Sequence, residues 1–476
     1  MTELPDIREY EHIHAFPFRR LWLTAAGQRG AARHYLYSLQ VQRAELLDKI
    51  GDWPAAEALC QASVDWCRSA GFECELAEAL IALGRIRRNL GKPAGMLAMI
   101  GESLAISQRL GDRKGVIRAH VNLGLVHALE GRLSEAVREY REAVDMAESA
   151  GLEVSLTSAL GNLAQVQMLQ GNYQDAIATD QRVIELCRKH GDEYGEAIGN
   201  CNLGNVYFFQ NRYDRAMECY QVQARHARRC GDILSYSVAI GNIGNIHNLT
   251  GDAAQAMACY REKLALSERL GYMTGTGQAL GNIANLLLDA GDIDGAVASD
   301  NRLLAIAEQS GDAELLSSAF IDLGALIQIK GDHPRALQLL DRAVAISRDG
   351  GLAYGLAMAL ARRAESQLRL GDPAAAQRDA AEGRATAERI GDDEIALECA
   401  LAGAGAAAAS DPARAVDEIT GLYPRFTDDK FQALIAFELF RLTGGAQHRA
   451  KALDLYRRLD PQTWLIKQKI EQLERP

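Results

Sequence analysis

The sequence has few aromatic residues, which make up only 6% of its 476 residues. It also lacks any apolar run near the roughly 20 residues that a membrane-spanning helix needs, and its N-terminus lacks the apolar core of a secretory signal. The net charge of −11 argues against a dedicated nucleic-acid binder, which usually carries a basic footprint. We therefore expect a cytoplasmic protein with neither a nucleic-acid nor a membrane partner.

Signatures of catalysis and of metal binding are missing too. The nine cysteines are dispersed and form no CxxC pair, so neither a disulfide framework nor a zinc site is expected. The sequence contains no GxxxxGK[ST], HExxH or GxSxG motif. His12 and His14 lie close together, but two ligands without a nearby cysteine or acidic cluster make a weak metal site. We expect no enzyme activity, no cofactor and no metal.

What the sequence does contain is a repeat. The segment at residues 239–245 (Ala-Ile-Gly-Asn-Ile-Gly-Asn) recurs with small changes 40 positions later, at residues 279–285 (Ala-Leu-Gly-Asn-Ile-Ala-Asn). A fixed period in this range is typical of stacked helical repeats. Because aromatic residues are few, we expect small residues to make much of the packing between the helices.

The repeat is marked by a glycine or asparagine every 20 residues, a residue type that tolerates the left-handed conformation at a helix end. This spacing predicts helices of about 15 residues, or about 22 Å, and the aspartates that follow many of these positions are suited to cap the next helix. We divide the chain into an N-terminal extension or cap (1–30), nine repeats (31–390), and a degenerate repeat with C-terminal capping helices (391–476). No segment shows a strand period, so the fold is predicted to be all-α. The turn positions are Gly51, Gly71, Gly91, Gly111, Gly131, Gly151, Gly171, Gly191, Asn211, Gly231, Gly251, Gly271, Gly291, Gly311, Gly331, Gly351, Gly371 and Gly391.

Each first helix carries a Leu or Ile followed by a small residue, as in Leu203-Gly204, and the second helix carries an early alanine such as Ala216. Together with Tyr207 and Tyr220, this pattern resembles the tetratricopeptide repeat, here with 40 residues instead of 34. The 40-residue form, with Leu-Gly-Asn-Leu at 160–163, resembles the LGN/Pins subfamily of adaptor proteins. The resemblance covers residues 31–390.

This resemblance implies a right-handed superhelical α-solenoid whose first helices line a concave groove for a peptide. In that subfamily, the matching asparagines hold the peptide backbone. The subfamily also carries G-protein-binding GoLoco motifs beyond its repeats, and this sequence has none, so a G-protein partner is not implied.

Polar residues form two columns on the first helices. Spacing of i and i+3 places each pair of asparagines on one helix face, and an amide offers donors and acceptors that match a peptide backbone. Two interpretations stay open: the amides bind a peptide, or they bond neighbouring helices and set the stacking. The first column is Asn122, Asn162, Asn202, Asn242, Asn282 and Asp322, and the second is Asn205, Asn245 and Asn285.

Arginines occur on or beside the same face at both ends of the array. Arg85, Arg88 and Arg118 lie at the N-terminal end, and Arg362 and Arg369 lie near the C-terminal end. Guanidinium groups pair well with carboxylates, so these arginines predict an acidic peptide, unless they are simply solvated.

Phe208 and Phe209 follow Asn205 by about one turn. They could form an apolar pocket in the middle of the groove, or be buried between repeats.

The leading hypothesis is a non-catalytic scaffold that holds an extended, acidic segment of another protein in its concave groove. The alternatives are a sensor array that regulates a signalling enzyme, and an array that self-assembles. Homo-oligomers would form through the aromatic segment at residues 9–22, which could otherwise cap the first repeat or lie in a groove as a pseudo-ligand.

Overall fold

The computed structural model describes residues 53–90, 95–459 and 463–475, with a few more between 40 and 47. The predicted N-terminal extension, with His12 and His14, lies outside the described residues. The regular elements of the described part are helices, as an all-α fold requires.

The chain forms two compact units, Met1–Leu186 and Cys187–Pro476, which we call unit 1 and unit 2. The boundary falls inside the seventh helix. Even-numbered helices up to α18 are the first helices of the repeats, and odd-numbered ones up to α19 are the second helices. The helices are α1 (Trp53–Ala70), α2 (Glu73–Asn89), α3 (Met96–Leu110), α4 (Arg113–Leu129), α5 (Leu133–Ser149), α6 (Glu153–Leu169), α7 (Tyr173–His190), α8 (Glu193–Phe209), α9 (Tyr213–Cys230), α10 (Ile233–Leu249), α11 (Ala253–Leu270), α12 (Met273–Asp289), α13 (Ile293–Ser310), α14 (Ala313–Ile329), α15 (His333–Asp349), α16 (Ala353–Arg369), α17 (Pro373–Ile390), α18 (Asp393–Ala407), α19 (Pro412–Thr420), α20 (Asp429–Thr443), α21 (Ala446–Arg458) and α22 (Trp464–Glu474).

The turns follow the predicted glycine spacing. The described turn glycines from Gly71 to Gly391 have positive φ, and Asn211, which takes the place of glycine once, has φ 57°. Left-handed backbone is accessible to glycine and, less readily, to asparagine. Most repeat helices have 17 or 18 residues, longer than the predicted 15, because the turns between them occupy so few residues.

Aspartates cap many of these helices. Their carboxylates accept backbone N–H groups that the first turn of a helix leaves without a partner. Asp112 is an exception and makes no side-chain cap bond, and Asp52 lies outside the described residues. The capping aspartates are Asp192, Asp232, Asp252, Asp292, Asp312, Asp332, Asp372, Asp392, Asp411 and Asp428.

In several repeats, the small residue after the Leu or Ile makes room for a side chain of the second helix. It does not serve a close approach of two backbones. A Cβ atom at Gly204 would lie 2.6 Å from the ring of Tyr220, and one at Gly244 would lie 2.8 Å from the ring of Tyr260. Both rings are buried. Glycine is needed there because a tyrosine of the second helix lies flat against the first helix.

Several pairs of consecutive first helices contact one another, among them α2 and α4 in unit 1 and α12 and α14 in unit 2. Second helices make no comparable contact in the described part of the chain. The first helices therefore lie on the inside of the curve in each unit. We call the surface that they form the inner face.

The C-terminal region departs from the repeat. Helix α19 has only nine residues, and α20 and α21 form a hairpin whose core contains Phe437 and Tyr456. The last helix, α22, packs against α21 and also contacts α12, a first helix far earlier in the chain.

Candidate functional site

The predicted polar columns lie on the first helices, and the two units use them differently. In unit 1, the side-chain amide of Asn122 donates to the carbonyl of Arg118 (2.7 Å), and that of Asn162 donates to the carbonyl of Ser158 (2.8 Å). Both acceptors lie one turn earlier in the same helix. These two amides therefore use a donor within their own helices.

In unit 2, Asn202 and Asn242 occupy the same column and are half-buried. No described residue forms a hydrogen bond with either side chain. Asn282 differs, because its Nδ2 donates to Oδ1 of Asn245 across adjacent first helices at 3.2 Å. Within the described part of the chain, two amides of the first column thus have no hydrogen-bond partner, and a third connects repeats.

The second column is partly structural. The hydroxyl of Tyr220 donates to Oδ1 of Asn205 (2.7 Å), and that of Tyr260 donates to Oδ1 of Asn245 (2.8 Å). These bonds join the two helices of one repeat and leave the Nδ2 donors of both asparagines without a partner among the described residues. Asn285 is exposed and has no such tyrosine.

The tyrosines were missed as partners of the asparagine column, although they could have been found from the repeat. Tyr140, Tyr220 and Tyr260 occur at multiples of 40 residues, opposite Gly124, Gly204 and Gly244. Where the first helix has alanine instead, at Ala164 and Ala284, the corresponding positions are Asp180 and Asp300.

The arginines predicted to attract an acidic peptide have intramolecular partners. Arg118 pairs with Glu78 at 3.2 Å. Arg362 pairs with Glu398 at 3.3 Å, and the charge of Glu398 raises the pKa of Arg362. An acidic ligand would have to replace these glutamates.

The remaining arginines are placed as follows. Arg85 and Arg88 lie half-buried on α2 and also interact within the protein. Arg369 is exposed at the end of α16.

Phe208 is half-buried between repeats instead of lining an open pocket. It packs on the core formed by Ala216, Tyr220 and Ile246, and its ring lies 5.8 Å from that of Tyr213. Phe209 is 58% exposed. Of the two interpretations, the structure favours burial for Phe208.

Asp322 continues the column on α14. It is accessible to solvent and accepts a hydrogen bond from Ser318 (3.1 Å). The surrounding protein displaces water and raises its pKa, while Ser318 and the charge of Arg362 oppose that rise. Behind it, Asp300 is 2% exposed, and burial, followed by the charge of Asp322, raises the pKa of Asp300 to about 8.

Within the described residues, no group of three or more His, Cys, Asp or Glu side chains is arranged to hold a metal ion. None of the described helices is long and apolar enough to cross a membrane.

The stacked helix pairs, with first helices on the inside, define an all-α solenoid. The sequence profile of the tetratricopeptide repeat matches residues 75–149 and 155–222. Over these residues the chain matches the tetratricopeptide repeat, as the Leu-Gly and Ala positions predicted. The finer resemblance to the LGN/Pins subfamily is not supported by these comparisons.

Several solved structures are similar to this chain. The apo form of RapI is similar over 75% of this chain and 99% of its own, with 15% identity and a TM-score of 0.53. The apo form of the quorum sensor NprR from B. thuringiensis is similar over 73% of this chain and 99% of its own (14% identity, TM-score 0.47). A Rap protein complexed with competence and sporulation factor is similar over 71% and 99% (15% identity, TM-score 0.45). Curated proteins gave no match. At this identity the likeness to RapI extends to the fold alone.

Proposed function

We propose that this protein is a non-catalytic interaction module that holds an extended segment of a partner protein on the inner face of unit 2. The observation that carries the proposal is the division of the asparagines. Among the described residues, neither Asn202 nor Asn242 has a hydrogen-bond partner for its side chain, whereas Asn122, Asn162 and Asn282 each donate one hydrogen bond within the fold. A helix interior is an unfavourable place for asparagine, so a free pair at this spacing calls for a ligand.

The chemistry matches a peptide backbone. A primary amide can donate to a peptide carbonyl and accept from a peptide N–H at the same time. Amides on successive first helices can therefore hold an extended chain with little dependence on its side chains. The Nδ2 donors of Asn205 and Asn245 lie on the same helices, and the bonds from Tyr220 and Tyr260 fix those amides in place.

The acidic preference predicted from the sequence is weaker in unit 2. Arg362 is already neutralised by Glu398, and Asp322 adds a further carboxylate on the adjacent first helix. We therefore propose backbone recognition as the main interaction and assign no net charge to the partner segment.

The test compares capture of partners from a cell lysate by three forms of the full chain. They are the native protein, the Asn202→Ala/Asn242→Ala variant, and Asn301→Ala as a matched control. Asn301 is exposed on α13, a second helix, and bonds only its own helix. We expect a protein retained by the native and control forms and lost from the double variant, with unchanged helix content. Equal capture by all three forms would contradict the proposal.

A further inference from the structure

Lys263, on the second helix α11, is a cation in the core of unit 2. Only 7% of the residue is exposed. Burying a charge costs free energy unless an opposite charge and hydrogen bonds compensate for it. The other second helices have an uncharged residue at this position of the repeat. These residues are Ser63, Ser103, Ala143, Val183, Gln223, Leu303, Ala343 and Gly383.

The ammonium of Lys263 has no counter-charge within the described part of the chain. Its Nζ donates to Oε1 of Gln278 on α12 at 2.9 Å, and it forms no ion pair with a described carboxylate. Burial lowers the pKa of Lys263, and no neighbouring charge opposes this effect. Because an ammonium has three N–H donors, two of them remain without a partner among the described residues.

The ammonium lies in the gap between the first helices α10 and α12. A Cβ atom at Gly241 of α10 would lie 2.7 Å from Cδ and 3.1 Å from Nζ of Lys263, and Gln278 belongs to α12. Four residues further along the same two helices, Asn245 and Asn282 are joined by a hydrogen bond of 3.2 Å. The ammonium therefore occupies the neighbouring level of this gap, about 6 Å from the asparagine pair.

This gap meets the inner face. Gln278 is exposed, and Asn242, which directly follows Gly241, is half-buried. Exposed side chains change rotamer on a picosecond to nanosecond timescale, so rotation of Gln278 brings the ammonium into contact with the inner face. The amide donors of Gln278 and Asn242 also have no partner among the described residues. Unused donors around an unpaired positive charge are suited to bind an anion.

The charge balance indicates which anion fits. Lys263 contributes one positive charge, and Gln278 and Asn242 are neutral. One such charge neutralises a carboxylate, whereas a phosphate monoester carries about −1.5 to −2 at pH 7. The site therefore matches a carboxylate.

We propose that Lys263 and Gln278 bind a carboxylate of the partner segment in the gap between α10 and α12. This inference rests on the proposed function, since it names a chemical group that the same inner face recognises. The carboxylate comes from an acidic side chain or from the C-terminus of the segment. It supplies the counter-charge that the core lacks and fixes one acidic position in a segment otherwise held by its backbone.

The test follows Lys263 itself in the full chain. Lysines labelled with ¹³C at Cε are titrated by NMR in sodium acetate and in sodium chloride of equal ionic strength, and the Lys263 signal is identified by its loss in Lys263→Met. We expect the ammonium to bind acetate about tenfold more tightly than the neutral amine does, which raises the pKa of Lys263 by about one unit. Lys330, which already pairs with Asp294 at 2.7 Å, should titrate equally in both salts. Equal pKa values of Lys263 in the two salts would overturn the inference.

Two glycine variants test the position of the ammonium. Gly241→Ala places a methyl group 2.7 Å from the side chain of Lys263 and should displace it. Gly281→Ala, at the same position of the next repeat, places a methyl group 3.8 Å from Leu303, which is an ordinary contact. We expect the acetate effect to be reduced in Gly241→Ala and retained in Gly281→Ala. An unchanged effect in both variants would exclude the gap beside Gly241 as the site.

Three acetylated nonapeptides of alternating Thr and Ala identify the source of the carboxylate. The first has a central Glu and an amidated C-terminus, the second has a free C-terminal carboxylate and no Glu, and the third has neither. We expect the first or the second to raise the pKa of Lys263 at a concentration about tenfold below that of acetate, because Asn202 and Asn242 add hydrogen bonds to the backbone. The third should leave this pKa unchanged. Peptides no more effective than acetate would contradict the assignment of the site to a partner segment.

Failure of this inference and failure of the proposed function give different results. If acetate raises the pKa of Lys263 and the Asn202→Ala/Asn242→Ala variant captures the same partners as the native chain, the asparagine surface is refuted and the carboxylate site stands. If capture requires the two asparagines while acetate has no effect on Lys263, backbone recognition stands and the carboxylate site is refuted.

Discussion

The asparagines of unit 1 and unit 2 stand at the same repeat position and make different interactions. Asn122 and Asn162 bond carbonyls of their own helices, whereas Asn202 and Asn242 make no side-chain bond among the described residues. The residue type at a repeat position therefore does not determine which hydrogen bonds its side chain forms. The surroundings differ: in unit 2 the residue three positions later is also an asparagine, fixed by a tyrosine of the second helix, whereas Leu125 and Gln165 occupy that place in unit 1.

The difference suggests that the two units are specialised. Unit 1 carries the arginines Arg85, Arg88 and Arg118, and each of its first-column amides donates one hydrogen bond to its own helix. Unit 2 carries Asn202 and Asn242, whose side chains form no hydrogen bond with a described residue, and its last helix, α22, contacts α12. Our proposal therefore places the main binding surface in unit 2.

The largest expected effect on stability comes from disrupting the glycine–tyrosine contact that orients the second asparagine column. Gly204→Ala should place a methyl group 2.6 Å from the ring of Tyr220 and displace the hydroxyl that holds Asn205. Overpacking of this kind costs about 1–3 kcal/mol. Thermal unfolding followed by circular dichroism measures it.

The matched control is Gly101→Ala in α3, where a Cβ would meet nothing within 4 Å. A helical glycine with open space should gain about 0.5–1 kcal/mol from alanine. Destabilisation by both substitutions would mean that the tyrosine contact does not explain the requirement for glycine.

A comparable effect on stability, but one that depends on pH, concerns the aspartates that replace tyrosine in each unit. Burial raises the pKa of Asp180 in unit 1 to about 8, and neither of its carboxylate oxygens has a partner in the described structure. Asp300 in unit 2 also has a pKa of about 8. The ordinary value is 3.8, so the folded state keeps protons that the unfolded chain releases between about pH 4 and pH 8. The free energy of unfolding should fall as pH rises through this window.

Asp180→Asn and Asp300→Asn should each make unfolding less dependent on pH, with a gain on the order of 1–3 kcal/mol at pH 8 from removal of an unpaired buried charge. The exposed Asp145→Asn serves as control. Asp322→Asn should lower the upper end of the window for Asp300 only. The comparison is made from the midpoints of thermal unfolding at pH 5 and pH 8. If the midpoint falls equally between these pH values in all variants, Asp180 and Asp300 do not cause the pH dependence of stability.

Much of the fold could be predicted because it is local and periodic. Gly231 and Asn211 end helices for a steric reason that one residue carries by itself, and Asp232 caps the next helix three residues away from its partner. The asparagine column could also be located from its spacing.

The division of that column could not be predicted in the same way. Whether Asn245 bonds a peptide or Tyr260 depends on the crossing of two helices, although the 40-residue spacing of the tyrosines was a usable signal. The return of α22 to Gly291 joins residues more than 170 positions apart, and no local pattern encodes such a contact.

The measurement that tests the account most directly compares the two units with one partner. The protein captured by the native chain is titrated against the Asn122→Ala/Asn162→Ala and Asn202→Ala/Asn242→Ala variants. We predict near-native affinity for the first variant and a loss of about tenfold or more for the second, since two hydrogen bonds at about 1 kcal/mol each disappear. An equal loss in both variants, or a larger loss in the first, would contradict the assignment of the binding surface to unit 2.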